Sequence, residues 1–119
     1  MKQLFLIRHA KSDWSTSVSD YYRPLNKRGL LDAPKMGKRF HGLFGCPDII
    51  ISSGAKRAFH TAELFAKELE FDVKKITHND QLYHASTQDF IEVIKVINEQ
   101  VETAMLVSHN PGISQTVYT

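Results

Sequence analysis

Four short apolar runs, separated by amphipathic stretches of helical period, predict an α/β fold: a three-layer α/β/α domain on a mostly parallel central sheet. Three observations carry this expectation. The runs Leu4-Phe5-Leu6-Ile7, Ile49-Ile50-Ile51 and Thr103-Ala104-Met105-Leu106-Val107 lack apolar–polar alternation, as strands covered on both faces do. The stretches between them repeat apolar residues at helical spacing, which supplies the right-handed crossovers that parallel strands need. Each run also ends abruptly in polar or ionisable residues. In open α/β sheets the ligand crevice lies beyond the carboxyl ends of the strands, so Arg8-His9, directly behind the first run, reads as an anion site.

Taken in order, the first strand gives way to a polar loop through Ala10-Lys11-Ser12-Asp13-Trp14-Ser15 and on to Asp20-Tyr21-Tyr22-Arg23-Pro24-Leu25. Asn26 suits the N-cap of a first helix with a stripe of Leu30, Ala33, Met36, Gly37, Phe40, Leu43 and Phe44. Pro34 interrupts that stripe and predicts a kink near Leu30, or a helix that begins only at Asp32. After the second strand, Ser52-Ser53-Gly54-Ala55-Lys56 leads to Arg57 in the first turn of a helix that buries Ala58, Thr61, Ala62, Phe65 and Leu69. A cation there opposes the helix dipole, which an anion bound to the free amides would reverse. Residues 73–77 read as a weak third strand. Ser86 caps a helix with Phe90, Ile91, Ile94, Ile97 and Val101 on its face, and the fourth strand runs out into Ser108-His109-Asn110-Pro111-Gly112.

Composition narrows the function classes. At 119 residues with 42% hydrophobic content, the chain supports one domain with one core. Fifteen Lys and Arg against 13 Asp and Glu give a formal charge of +2, and no basic run exceeds a dipeptide, so no nucleic-acid footprint is expected. The longest apolar stretch near the N-terminus is too short for a signal-peptide core or a membrane span. Cys46 is the only cysteine and sits in a Gly-Cys-Pro turn, which fits a reducing compartment and predicts a cytoplasmic protein with an inert thiol.

A parallel sheet brings Arg8 and His9, Arg57, and His109 to one edge although they are far apart in sequence. Two guanidiniums and two imidazoles together suit a phosphoryl group: the arginines neutralise the dianion, one His attacks phosphorus, and the other stabilises charge on the oxygens. A zinc site is disfavoured, because no Cys, His or carboxylate stands at a comparable strand end as a third ligand.

These residues resemble a known family. Arg8-His9-Ala10 is similar to the Arg-His-Gly signature of the histidine phosphatase superfamily, with its phosphoglycerate mutase-like fold. Ser52-Ser53 with Arg57-Ala58 and Thr61-Ala62 resembles its second motif, and residues 107–112 its third. Arg8 to Trp14, with Arg23-Pro24-Leu25-Asn26 and Arg28-Gly29, resembles the small SixA-type phosphohistidine phosphatases. The resemblance spans the whole chain. It implies that His9 is the nucleophile and forms a phosphohistidine intermediate, that Arg8, Arg57 and His109 bind the phosphoryl oxygens, and that no cofactor or metal takes part. The substrate it implies is phosphohistidine on a partner protein, with small phosphate monoesters, or noncatalytic phosphate binding, as alternatives.

Two departures shape the expectation. Relatives that cleave monoesters carry a carboxylic acid in the loop past strand three, where this chain has Leu82-Tyr83-His84-Ala85; His84 is either a substitute acid or a surface residue. Without an acid the site suits imidazole, a good leaving group, better than a serine alkoxide. Relatives also continue past the third motif, whereas this chain stops at Thr119, as a single domain truncated at its C-terminus would.

Overall fold

A computed structural model describes residues 3–117. Four strands, β1 (Gln3–Arg8), β2 (Ile49–Ser52), β3 (Thr77–His78) and β4 (Thr103–Ser108), form one sheet in the order β1-β4-β2-β3, and every pairing is parallel. The helices are α1 (Lys27–Phe44), α2 (Lys56–Glu68), α3 (Thr87–Lys95) and α4 (Gly112–Val117). The three layers follow from the period-two alternation of strand side chains. Phe5, Ile7, Ile50, Met105 and Val107 pack with Ala33 and Phe40 of α1 and Ala58, Ala62 and Phe65 of α2. Leu4, Leu6, Ile51, Ala104 and Leu106 face the opposite way, against Phe90 and Val93 of α3 and Ile113 of α4. Both faces of the sheet are therefore apolar, which is why the strand runs do not alternate in sequence. No helix of the described residues is long and apolar enough to cross a membrane, and the expected break at Thr119 lies outside them.

Three expectations are corrected. First, α1 is continuous from Lys27 to Phe44 with Pro34 inside it, so it does not begin at Asp32. Asn26 fixes the start, its side chain accepting a hydrogen bond from the Gly29 amide at 2.8 Å. Second, the buried stripe of α1 is Gly29, Ala33, Gly37 and Phe40, whereas Leu30, Met36, Leu43 and Phe44 are exposed. Small residues four apart let α1 lie close against α2: a Cβ on Gly37 would approach the Phe65 Cα to 3.1 Å. Third, residues 73–75 form a 3-10 turn rather than strand, because the Asp72 carboxylate accepts from the Lys74 amide at 3.0 Å and closes the chain locally; pairing with β2 starts only at Thr77.

Helix α3 carries a full capping box, Ser86 and Asp89 satisfying each other's backbone amides, and buries Phe90 and Val93. Val93 is a core residue that the sequence pattern passed over.

Candidate active site

Strand register levels the functional residues. Arg8 pairs with Ser108 and Ser52 with Val107, so three neighbouring strands end together. The His9 amide then donates to Ser108 O at 3.1 Å, and the Ser53 amide to Val107 O at 3.0 Å, carrying the sheet pattern one residue beyond the strands. With β4 between β1 and β2, His109 lies between the segments carrying His9 and Arg57. The His9 and His109 rings are 5.1 Å apart.

Arg8, His9, Arg57 and His109 line one cavity of about 540 Å³, together with Lys11, Ser12, Trp14, Asp20, Arg23, His84 and others. The structure thus brings together all four residues singled out in the sequence, and places His84 on the same wall. Four permanently cationic side chains face the cavity against one carboxylate, Asp20. Such a lining favours an anion.

The tautomer of His9 is set by its neighbour. Nδ1 lies 2.6 Å from Ala10 O, which can only accept, so Nδ1 carries the proton and Nε2 keeps its lone pair. Burial holds its pKa down at about 4, with smaller help from the charges of Arg57, Arg8 and Arg23, against the opposing hydrogen bond to Ala10, which outweighs any one of those charges. The neutral ring anticipated from the arginines alone is therefore present mainly for a different reason. Thr61 anchors the segment: its Oγ1 accepts from the Ala10 amide at 3.0 Å and donates to Arg57 O at 2.7 Å, tying the residue after His9 to the first turn of α2.

His109 is held at Nε2 by Ser53 Oγ, 2.9 Å away. That oxygen also accepts the Ala55 amide at 3.2 Å, and the other ring nitrogen, Nδ1, is buried with no hydrogen-bond partner among the described residues. Burial, then Arg57, lowers the His109 pKa to about 3. The Nε atoms of Arg23 and Arg57 are likewise buried without a partner.

Arg57 is only 3% exposed, so it is not a tolerated surface residue. Its Nη1 donates to Asp20 O at 2.6 Å and its Nη2 to Asp20 Oδ2 at 3.0 Å. Asp20 and Arg23 are the residues that sequence reasoning missed. Both were read as parts of a polar loop, but the loop folds back over the sheet edge through a 3-10 turn at Asp20–Tyr22. Tyr83 donates to Asp20 Oδ2 at 2.7 Å, and Arg23 Nη2 to Asp20 Oδ1 at 3.2 Å. The Tyr83 hydroxyl, then Arg57 and Arg23, keep this carboxyl well below the usual range and ionised. Arg23 also donates to Ser12 Oγ and lies 3.6 Å over the exposed Trp14 ring. A site without a carboxylate, as the sequence suggested, is thus corrected: long-range folding delivers one, but in a form that cannot donate a proton. Ser15 does no more than close a turn with Asp13.

Comparison with known proteins agrees with this geometry. Residues 4–93 match the model of the histidine phosphatase superfamily, branch 1, and the chain belongs to that superfamily. Within it, the chain is of the SixA type: it superposes on the crystal structure of a candidate phosphohistidine phosphatase SixA from Agrobacterium tumefaciens with a TM-score of 0.86 and 30% identity, over 96% of this chain and 73% of that one. A protein histidine phosphatase SixA solved with tungstate has the same fold, with a TM-score of 0.85 at 22% identity, over 96% of this chain and 73% of that one. An uncharacterised protein of Mycobacterium leprae is 31% identical over 112 residues, which are 91% of this chain and 66% of that protein. The chain spans between 55% and 66% of the length of such plant and mycobacterial relatives.

Proposed function

We propose that the protein is a phosphohistidine phosphatase that works through a covalent intermediate on His9. The observation that carries this is the convergence of a neutral His9, His109, Arg8 and Arg57 on one cavity. In this reading the guanidiniums of Arg8 and Arg57 hold the phosphoryl oxygens, and the His109 ring, which lines the same cavity, stabilises charge on them. His9 Nε2 attacks phosphorus. The new P–N bond forms as the bond to the substrate nitrogen breaks, with its electron pair returning to the departing imidazole ring. Phosphorylated His9 keeps its Nδ1–H on Ala10 O, so it too can leave as a neutral ring when water attacks. The arginines supply the positive charge that metals supply in other phosphoryl transfers, so the reaction is metal-independent.

The substrate is a phosphorylated partner protein: Trp14 and His84, both in the cavity lining, are largely exposed, so a side chain can reach the site from solvent. A cytoplasmic location accords with the single free Cys46. One observation favours a second reading, hydrolysis of small phosphate monoesters: His84 lines the cavity and could protonate an alkoxide.

Incubation with a phosphohistidine protein carrying radiolabelled phosphate, followed by alkaline quench, tests the proposal. Label should appear on the parent protein and be absent from His9→Ala, and a chelator should leave turnover unchanged. Turnover by His9→Ala at the parental rate would overturn it, and phosphoserine cleaved as fast as phosphohistidine would favour the second reading.

A further inference from the structure

The site's one carboxylate has no assigned task, and it is placed where a task is available. Asp20 keeps 41% of its side chain exposed while lining the cavity that holds His9, His109 and Arg57. Its Oδ2 accepts from Tyr83 and Arg57, and its Oδ1 accepts one longer bond from Arg23. A carboxylate offers about four lone-pair sites, so one on Oδ1 remains for a donor entering the cavity. The titratable groups facing it are the Tyr83 hydroxyl, His84, whose Nε2 is 3.7 Å from Oδ2, and His109.

An anion beside a phosphate site repels the phosphoryl group and weakens binding of any phosphate. It repays that only for a substrate whose leaving part carries a positive charge or a hydrogen-bond donor. A phosphorylated imidazole has both once its far nitrogen is protonated; alkyl and aryl phosphates have neither. The protonated form is also the reactive one. When its P–N bond breaks, the electron pair returns to the ring and neutral imidazole departs with its far N–H in place, whereas the unprotonated form would have to leave as imidazolate. Resting on the phosphatase reading above, we infer that Asp20 determines specificity by accepting a hydrogen bond from the far ring N–H of phosphohistidine, selecting the imidazolium form and N–P over O–P substrates.

The probes are N-phosphoimidazole and para-nitrophenyl phosphate, whose leaving groups both depart without a general acid but of which only the first has a ring N–H. In Asp20→Asn, kcat/KM for phosphoimidazole should fall about tenfold or more relative to that for the nitrophenyl ester, in line with loss of a hydrogen bond between charged groups. The alkaline limb of kcat for phosphoimidazole should move to lower pH in the variant, because nothing then favours the protonated ring in the bound state. A purely structural role, holding Arg57 and Arg23, would lower both substrates together and leave the limb in place, and would overturn the inference. Should Asp20→Asn not fold, Asp20→Glu shifts the charge by one methylene and is read by the phosphoimidazole limb alone: a displaced limb supports the inference and an unmoved one overturns it. A parent that hydrolyses neither compound would remove the phosphatase reading itself. A parent that hydrolyses both, with the ratio unchanged in the variant, would remove only the role of Asp20.

Discussion

At His9, burial and neighbouring guanidiniums act in the same direction, and the consequence is a measurable pH profile. With its pKa near 4, the ring stays unprotonated well below neutrality, as the proposed nucleophile must. The acid limb of kcat/KM for an aryl phosphate, corrected for the ester's own ionisation, is expected near pH 4; a limb near 6.5 would mean a solvated imidazole. The same shifts bear on stability. His9 and His109 titrate at about 4 and about 3 in the fold but from 6.5 when unfolded, so between those values the unfolded chain binds more protons and stability rises with pH. Denaturant midpoints should therefore fall as pH drops from about 6.5 towards 4, and His109→Asn should flatten the decline. Asp20, depressed below 3.8, adds a further loss only at the acid end of that range. Arg57→Ala should lower kcat about 10²- to 10³-fold, the usual effect of losing one oxyanion donor, whereas a change within twofold would leave Arg57 without a part in the chemistry.

At the scale of elements, α1 positions the loop that bears the site. Asn26 N–H donates to Lys11 O at 2.9 Å, and a Cβ on Gly29 would collide with that same carbonyl. Gly29→Ala should therefore cost about 1–3 kcal/mol of stability and reduce activity, since Lys11 and Ser12 must shift. Gly42, on the same helix, has open space around it. Gly42→Ala should stabilise by about 0.5–1 kcal/mol through helix propensity without touching kcat, and urea unfolding of the pair separates a packing constraint from an entropic one. The helical period of α1 was legible, but which residues face inward was not. Leu30, Met36, Leu43 and Phe44 outweigh Gly29 and Gly37 in hydrophobicity, yet close approach to α2 selects for small size. The third strand was misjudged for a local reason, the Asp72 side chain that turns residues 73–75.

For the whole molecule, the relevant quantity is local field rather than net charge. A formal charge of +2 conceals a cavity with Arg8, Lys11, Arg23 and Arg57 around it. Tungstate or inorganic phosphate should inhibit competitively and raise the Tm, with inhibition weakening as salt screens the field over a Debye length of about 8–10 Å. Arg23→Ala should reduce that stabilisation and salt dependence, while Lys74→Ala, in the turn at residues 73–75, should change neither. Calorimetry with and without phosphate at two salt concentrations makes the comparison.

Sequence alone determined the layers, the parallel strands and the placement of Arg8, His9, Arg57 and His109 at one sheet edge, because each depends on short-range patterns: unbroken apolar runs, helical spacing, and polar residues directly after a strand. Only the tertiary structure decided the rest of the site. Asp20 meets Arg57 across 37 positions and Tyr83 across 63, and neither the 3-10 turn that carries Asp20 over the sheet edge nor the register that levels the strand ends has a local signal. Burial belongs to the same class. The charges of the arginines could be counted from the sequence, but the largest cause of a neutral His9 is the removal of water, and that exists only once the chain has closed around it.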